Sequence, residues 1–459
     1  MLKKGTFLTD VYLVLMPILY GVVFYCISPL ESTDEFYLFL FIVFALNYML
    51  LDVYKQNIPF KKVLFSALLS RLVLLFVPPN LSPDFYRFIW DGELLNMGIN
   101  PYAHTPDDLI SFSGFYDKEY MRMVYHGMTD LSKQHFSNYP VLNQLFFFIP
   151  TYFSNSIFGN VLGFKIIILI ADIANIFMIK KILTILKIKS SKLILYALNP
   201  LVIIELVGNL HFEGVMIFFI LCSIYFVINQ KHNNSGWMIA GIFLSLAAQV
   251  KLIPLMFIPF FYKNLNWKKA IGFTAVVMMV FLIIGLYLWT DKIYVNQMLQ
   301  SINDYFISFQ FNSSVFSIIN HYMSKSYGWN TTYIVGPLLS KISLVLIVLL
   351  ALFRNYKSNI DVIKGILFSL IIYYILATTV HPWYITVVLV LSIFTNYTIG
   401  YVWSIVVVLS YFIYLQSENS GLIKATEYLI LSIVLIRDLY HNKRNDVFGF
   451  NFSSFFKCF

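Results

Sequence analysis

Two aspartates and an arginine lie close together in the segment 82–102, SPDFYRFIWDGELLNMGINPY. If this segment is helical, Asp84 and Asp91 are about two turns apart and share a face, and Arg87 lies beside them. An aspartate is ionised at neutral pH and can therefore accept a proton in general base catalysis. The same spacing also fits an interfacial helix whose charges only face water, with Asp84 as its N-cap.

The residues at the ends of this segment predict where its helix begins and ends. Pro83 is tolerated in a first helical turn, and Gly98 suits the left-handed conformation that ends a helix. We therefore expect a helix from Asp84 to about Met97, with Glu93 pointing away from the face that the aspartates share.

Lys251 is a charged residue in an otherwise apolar run. Between residues 236 and 261 Lys251 is the only charged residue, Gln249 lies two residues before it, and Pro254 should break a helix there. An ionisable residue within the membrane indicates a functional site. The alternative is a lysine that snorkels from an ordinary helix end.

Two histidines and two aromatic residues lie in short polar motifs. His211 is within GNLHFEG, and His381 opens HPWY. A lone histidine near a helix end is as often a structural hydrogen-bonding group as a functional one, so both interpretations stay open. Trp383 and Tyr384 are either interfacial anchors or surfaces on which a sugar or a prenyl chain stacks.

The composition is that of a polytopic membrane protein. Of the 459 residues 59% are hydrophobic and only 12% are charged, whereas about a quarter are charged in soluble domains. The net charge of +9 comes from lysines between apolar runs, which indicates cytoplasmic loops rather than nucleic-acid binding. The three cysteines, one of them Cys458, predict neither a disulfide framework nor a metal site. Asp172 and Glu205 lie within apolar runs and are expected to be structural, paired with Lys165 or with backbone donors.

The apolar runs predict an all-α protein with about 12–14 transmembrane helices. Candidate spans lie near residues 7–27, 36–54, 63–79, 161–181, 193–209, 213–230, 236–250, 252–262, 270–290, 332–353, 362–380, 383–396, 398–415 and 422–440. We expect one transmembrane module over residues 1–290, with a long external loop near 79–140, and a second over 291–459, with an external loop near 291–332. The first run has a basic start but no cleavage motif, so it is expected to be retained.

Basic loops predict the orientation of these spans. By the positive-inside rule the cytoplasmic loops are those with Lys55, Lys61 and Lys62, with Lys180 to Lys192, with Lys231, with Lys268 and Lys269, with Arg354 and Lys357, and with Lys443 and Arg444. Both termini are then cytoplasmic, provided that the stretch 141–158 does not cross. This stretch contains Asn143, Gln144 and Pro150, and is therefore predicted to be a re-entrant or interfacial helix.

This orientation places the unusual polar clusters on the non-cytoplasmic side. They are the loop 79–140, GNLHFEG at 208–214, QVKLIP at 249–254, FQFNSS at 309–314 and HPWY at 381–384. Five such clusters on one face predict a site built from segments far apart in the sequence.

These motifs resemble those of integral-membrane glycosyltransferases of the GT-C fold, in particular bacterial mannosyltransferase-like members that use polyprenyl-phosphate sugars. In the first external loop the matching residues are Asp84, Arg87, Trp90, Asp91, Gly92, Gly98, Asn100, Pro101 and Tyr102. Similar segments follow in order: YPVLNQL from Tyr139, GNLHFEG, KLIP from Lys251, FQFNSS with Asn312, and HPWY. Related transferases often have an Asp-Glu pair in the first loop, whereas here Phe85 follows Asp84.

The resemblance implies an inverting hexosyltransferase, with mannose the favoured sugar. An acceptor hydroxyl attacks the anomeric carbon of a polyprenyl-phosphate sugar, and Asp84, or else Asp91, accepts the hydroxyl proton. The resemblance assigns the donor phosphate to Arg87, Lys251, His211 and His381. It assigns substrate binding to Trp90, Asn100, Tyr102, Tyr139, Asn312, Trp383 and Tyr384.

The resemblance also has implications for the acceptor, the location of the site and a metal ion. The acceptor is a glycolipid, a glycan or a protein, and the site faces outward from a bacterial inner membrane. A divalent cation, Mg²⁺ or Mn²⁺, shared by Asp84 and Asp91 is left open, because two carboxylates are too few to assign one.

Two other functions fit a chain with many helices and charges within the membrane. A transporter or flippase for lipid-linked glycans usually has paired repeats with broken helices in both halves, and no such repeat is apparent here. A glycan polymerase or ligase is expected to have a large external loop late in the chain, as residues 291–332 could form.

Overall fold

The computed structural model describes residues 4–27, 30–111, 114, 118–229, 235–286, 289–354, 356–415 and 420–443. Lys231, Arg444 and Cys458 lie outside these ranges. Within them the regular structure is helical, and extended backbone pairs only in an isolated parallel bridge between Phe311 and Thr379. The expected all-α polytopic fold is confirmed.

The helices of the first half of the chain follow its apolar runs, except for the short helices within the long loop 79–140. They are α1 (Lys4–Val22), α2 (Thr33–Lys55), α3 (Phe60–Val73), α4 (Asp84–Asn96), α5 (Pro106–Ile110), α6 (Glu119–Gly127), α7 (Asp130–Gln134), α8 (Val141–Phe153), α9 (Ile157–Ile185), α10 (Ile194–Ala197), α11 (Pro200–Val202), α12 (Glu213–Ile228) and α13 (Gly236–Val250). A capping box of Ser32 and Glu35 begins α2, where it satisfies backbone N–H groups that lack helical partners.

The helices of the second half are interrupted more often. They are α14 (Ile258–Phe261), α15 (Trp267–Gly285), α16 (Lys292–Ser308), α17 (Val315–Tyr327), α18 (Thr332–Phe353), α19 (Asn359–Leu376), α20 (Ile385–Ile393), α21 (Ile399–Val406) and α22 (Ser420–Lys443). The expected span 252–262 consists of α14 between two short 3₁₀ turns. Pro254 and Pro259 lie in this segment, and because proline has no backbone N–H it does not favour a continuous helix.

Six of the described helices are long and apolar enough to cross a membrane. They are Phe7–Tyr25, Thr33–Lys55, Ile157–Ile185, Trp267–Gly285, Thr332–Phe353 and Asn359–Leu376. A seventh span is formed if Ser190–Ala197 and Pro200–Gly208, which meet at an angle of 47°, count as one, and five further apolar helices have 10–17 residues. The chain is an integral membrane protein, and the expected total of 12–14 spans stays a prediction.

Helix α8 has 13 residues and is therefore about 20 Å long, shorter than the hydrocarbon core of about 30 Å. It packs on α4, and its Asn143 and Gln144 are buried in protein. Its length is compatible with the expected re-entrant helix, which stays a prediction.

Buried charges tie the helices of the first half together. The Arg71 Nε atom is 2.6 Å from Asp172 Oδ2, and Tyr196 donates a hydrogen bond to the other oxygen of that carboxylate. Asp172 therefore pairs with Arg71 and not with Lys165, one of the two kinds of partner expected from the sequence. Lys165 instead donates to the carbonyls of Leu74 and Val77, just beyond the end of α3. These contacts support the structural role expected for Asp172, since each buried charge has a partner.

Candidate active site

Helix α4 positions the first group of candidate residues as expected. It begins at Asp84, directly after Pro83, and ends at Asn96. Gly98 has a φ of +72°, a left-handed conformation that suits glycine.

Close packing on α8 fixes the orientation of α4. A Cβ atom on Gly92 would lie 2.5 Å from the carbonyl oxygen of Phe147 and 2.6 Å from the Thr151 hydroxyl. The ring of Phe88, one turn earlier, stacks on Phe147 with 4.5 Å between centroids. A glycine is therefore required where the two helices approach each other.

Arg87 and Asp91 form a buried ion pair on this helix. Arg87 Nε is 2.7 Å from Asp91 Oδ1, and Arg87 Nη1 donates to the carbonyls of Ser132 and His135. The other Asp91 oxygen accepts hydrogen bonds from Ser137 at 2.5 Å and Gln144 at 2.9 Å. Both oxygens of Asp91 are thus engaged, and the pair attaches α4 to the end of the long loop.

Asp84 has different surroundings, although it lies on the same helix. Its side chain is half-buried, whereas Asp91 is fully buried. Burial raises the pKa of the Asp84 carboxyl, the Lys251 ammonium opposes this rise, and the Glu213 carboxylate adds to it. Asp84 is therefore within electrostatic reach of two charges from other helices.

Lys251 contacts the carboxylate of Glu213, the first residue of α12. Helix α13 ends at Val250, and Lys251 follows in an extended backbone conformation. The side chain is 19% exposed, whereas that of Glu213 is 1% exposed. The ammonium also lies 5.3 Å from the centroid of the Tyr384 ring, in a cation–π contact.

His211 lies in an irregular turn that precedes α12. The chain leaves α11 through a π-helical turn, Ile203–Gly208, and Leu210 takes a φ of +65°, which is unusual for a bulky residue. The amide of Asn209 then lies 3.0 Å from Glu205 Oε2 and 3.2 Å from His211 Nε2. Burial lowers the pKa of His211 well below its usual value, and the charge of Lys251 lowers it further.

A column of stacked rings joins three of the motifs. The His211 and His381 rings lie on opposite sides of Trp383, with centroid distances of 3.7 Å and 4.3 Å. Phe311 stacks on His381 at 4.8 Å, and Tyr414 stacks on Phe311 at 4.7 Å. We call these five rings the aromatic column. GNLHFEG, FQFNSS and HPWY thus meet in space.

His381 also has a polar partner. The Tyr305 hydroxyl, on α16, is 3.1 Å from His381 Nε2 and 3.4 Å from the Tyr384 hydroxyl. Burial lowers the pKa of His381 to about 3, with a further contribution from Lys251. Both site histidines are therefore neutral at physiological pH.

The remaining candidate residues of the first loop lie in the protein interior. Trp90 and Tyr102 are fully buried, and the Tyr102 hydroxyl donates to the carbonyl of Tyr139 at 2.6 Å. Asn100 accepts a hydrogen bond from the backbone of Tyr102, and Tyr139 packs against Phe88. These contacts connect the loop after α4 with the residues that precede α8.

Asn312 has a left-handed conformation and points toward α22. Its side-chain amide lies 3.2 Å and 3.3 Å from the two oxygens of Glu427, which also accepts from Trp403. Tyr428 donates to the Asn312 carbonyl. These bonds hold the segment that carries Phe311 of the aromatic column.

The structure thus brings together six of the candidate residues: Asp84, Lys251, His211, His381, Trp383 and Tyr384, with Trp383 between the histidines. Arg87 and Asp91 lie further along α4 and bind each other. Sequence reasoning missed Glu213 and Tyr305 as neighbours of this site. Glu213 lies within GNLHFEG itself, so its place in that motif was the available signal.

No group of three or more His, Cys, Asp or Glu side chains is placed to hold a metal ion in the ranges that the structure describes. Asp91 already uses both of its oxygens in hydrogen bonds, so an ion shared with Asp84 would have to displace these contacts.

Residues 38–266 match the family model described as alpha-(1->6)-mannopyranosyltransferase, N-terminal domain. This half of the chain belongs to that mannosyltransferase family. No curated protein and no solved structure matches the chain significantly. The family match confirms the resemblance to membrane mannosyltransferases and supports a glycosyltransferase activity.

The mannosyltransferase domain contains part of the site. Asp84, His211, Glu213 and Lys251 lie inside the matched residues, whereas the HPWY motif lies outside them. The contacts of Lys251 with Tyr384 and of His211 with Trp383 join the matched domain to the rest of the chain.

Proposed function

We propose that the chain is an inverting mannosyltransferase that uses a polyprenyl-phosphate mannose donor and acts on the non-cytoplasmic face of the membrane. The observation that carries the proposal is the half-buried Asp84 carboxylate within electrostatic reach of the partly exposed Lys251 ammonium. A base and a cation are the two groups that this transfer requires. The family match supports mannose as the sugar.

The reaction begins at an acceptor hydroxyl. Its oxygen attacks the anomeric carbon of the donor while Asp84 accepts the hydroxyl proton. The bond between the anomeric carbon and the phosphate oxygen breaks, and its electron pair stays on the phosphate. Lys251 stabilises the negative charge that grows there. Inversion gives an alpha linkage, the one named in the family description, when the donor is beta-linked.

The other site residues take supporting roles in this proposal. His211 and His381 are neutral, so each would act as a hydrogen-bonding group rather than a cation toward the donor phosphate. Tyr384 offers aromatic surface for the sugar or the prenyl chain, whereas both faces of Trp383 are covered by the two histidine rings. The Arg87–Asp91 pair positions α4, which makes Asp84 the better candidate for the base.

The first-loop residues and Asn312 hold the backbone segments next to the site. Trp90, Asn100, Tyr102 and Tyr139 hold the loop, and Asn312 fixes the segment of Phe311. The site would combine the proposed module 1–290, which supplies Asp84 and Lys251, with the module 291–459, which supplies HPWY.

A transfer assay tests the reaction. Wild-type protein and Asp84→Asn are incubated with radiolabelled polyprenyl-phosphate monosaccharides and a membrane lipid extract. We expect transfer from the mannose donor, release of free polyprenyl phosphate, and a loss of at least about a hundredfold in the variant, because the amide keeps the shape but cannot accept the proton. Asp130→Asn, a substitution of an exposed aspartate, is the matched control.

The outcomes separate the competing functions. Wild-type protein that transfers no sugar but moves a labelled lipid across a vesicle membrane would establish a flippase instead. Equal transfer by wild type and Asp84→Asn would keep the transferase and remove Asp84 as its base. Transfer of whole glycans without use of a monosaccharide donor would establish a polymerase or ligase.

Labelling of introduced cysteines tests the proposed orientation in a bacterial inner membrane. Cysteines in the loop 180–192 should react only after the membrane is made permeable, because this lysine-rich loop is predicted to be cytoplasmic. Reaction from the outer side in intact cells would reverse the proposed face of the site.

A further inference from the structure

Two acidic side chains interact with Lys251. The Glu213 carboxylate contacts the ammonium directly, and its second oxygen is buried without a hydrogen-bond partner. Asp84 interacts electrostatically with both residues. Glu205 lies behind His211, with its Oε2 atom 3.5 Å from His211 Nε2. Two carboxyl groups, those of Glu213 and Asp84, therefore interact with one lysine.

The neighbouring histidines do not add positive charge. Burial and the nearby Lys251 lower the pKa of both His211 and His381, so both rings are neutral near pH 7. Arg87 is paired with Asp91 and directs a second nitrogen to backbone carbonyls. The surroundings of Lys251 are thus acidic even with the ammonium included.

A polyprenyl-phosphate sugar and the phosphate it leaves behind differ in charge. The donor is a phosphodiester with one negative charge. The product is a phosphomonoester, whose second ionisation has a pKa of about 6, so it carries close to two negative charges at neutral pH. An anion next to the phosphate site therefore repels the product more strongly than the donor.

We propose that Glu213 makes the Lys251 site selective for a singly charged phosphodiester over a doubly charged phosphomonoester, and so promotes release of the polyprenyl phosphate product. This inference rests on the proposed function and names a role for a residue that does not take part in bond-making.

The contact geometry assigns this role to Glu213 rather than to the other acids. Glu213 shares Lys251 with any phosphate that binds there, because its carboxylate already touches the ammonium. A dianion that binds Lys251 must approach a carboxylate that is 1% exposed and poorly screened by solvent. Asp84 is needed as the base, and Glu205 accepts a hydrogen bond from Asn209 instead of contacting Lys251.

Direct binding tests the proposal without turnover. A short-chain prenyl monophosphate and its methyl ester, which differ by one charge, are titrated into detergent-solubilised wild type and Glu213→Gln at pH 8. Wild type should bind the methyl ester more tightly than the monophosphate. In Glu213→Gln the ratio of the monophosphate affinity to the methyl ester affinity should rise at least about tenfold, because the repulsion from one negative charge is removed.

Two further variants control for charge and for location. Glu213→Asp keeps the negative charge and should keep the wild-type preference. Glu93→Gln neutralises a buried acid on α4 that interacts with Asn96 and Tyr120, and it should not change the ratio of affinities.

Several results would overturn the proposal. One is wild type that binds the monophosphate as tightly as its methyl ester, a result that needs no variant. Another is a Glu213→Gln variant whose affinities for the monophosphate and the methyl ester fall by the same factor. Glu213 would then only hold Lys251 in place. If wild type shows the expected preference but transfers no mannose, the proposed reaction fails while the charge selectivity stands.

Discussion

The ammonium of Lys251, the residue directly after α13, contacts the carboxylate of Glu213, the first residue of α12. A lysine within a membrane segment usually has a function or an acidic partner. Lys251 has an acidic partner, and its side chain is still 19% exposed. The pair therefore holds the partly exposed Lys251 ammonium where a ligand can reach it.

Loss of the Lys251 charge should slow the reaction more than it weakens donor binding. Lys251→Met should lower kcat about 100- to 1000-fold, because the leaving phosphate loses a preorganised positive group. Steady-state transfer kinetics with the mannose donor measure this change. Lys62→Met, which removes an exposed lysine paired with Asp10, should leave kcat unchanged. An equal loss in both variants would point to a general effect of lysine removal.

The pH dependence of transfer should move in opposite directions when the two partners are neutralised. Because burial raises the pKa of Asp84, the acid limb of kcat/KM should lie above the usual aspartate value of about 3.9. Lys251→Met should move this limb to higher pH, since a charge that favours ionised Asp84 is lost. Glu213→Gln should move it to lower pH, since a like charge is removed. Shifts in the same direction would show that the limb does not report on Asp84.

Much of the fold could be predicted from the sequence because each helix is encoded locally. The runs 236–250 and 332–353 match α13 and α18, since an apolar stretch long enough to lie in the membrane forms a helix wherever it packs. The helix from Asp84 was predictable from Pro83 and Gly98, which set its two ends.

The pairings could not be predicted, because they depend on which helices pack together. Asp84 and Asp91 share a face by spacing, yet α8 covers Asp91 and leaves Asp84 half-buried. Arg71 and Asp172 are about a hundred residues apart and meet only after α3 and α9 pack. The contact of Glu213 with Lys251 arises in the same way, which is why Glu213 was missed.

Asp91 should matter for stability rather than for proton transfer. Asp91→Asn leaves the buried Arg87 guanidinium without its counter-charge, which should reduce the free energy of unfolding by about 3–5 kcal/mol. Asp130→Asn removes an exposed ion pair with Lys133 and should cost less than about 1 kcal/mol. Thermal unfolding in detergent measures both. A variant of Asp91 that is as stable as wild type but inactive would make Asp91 the base.

Gly92 should be the position at which the site is most sensitive to a single added methyl group. Gly92→Ala places a Cβ 2.5 Å from the Phe147 carbonyl oxygen, which is backbone and cannot rotate away. The two helices must separate, and we expect a loss of about 1–3 kcal/mol in the free energy of unfolding. Because α4 carries Asp84, kcat should fall in the protein that stays folded. Gly421→Ala, where the added atom meets nothing within 4 Å, is the matched control and should lower neither quantity, because alanine favours a helix more than glycine does. Normal stability and normal kcat in Gly92→Ala would mean that the contact between α4 and α8 does not set the position of the base.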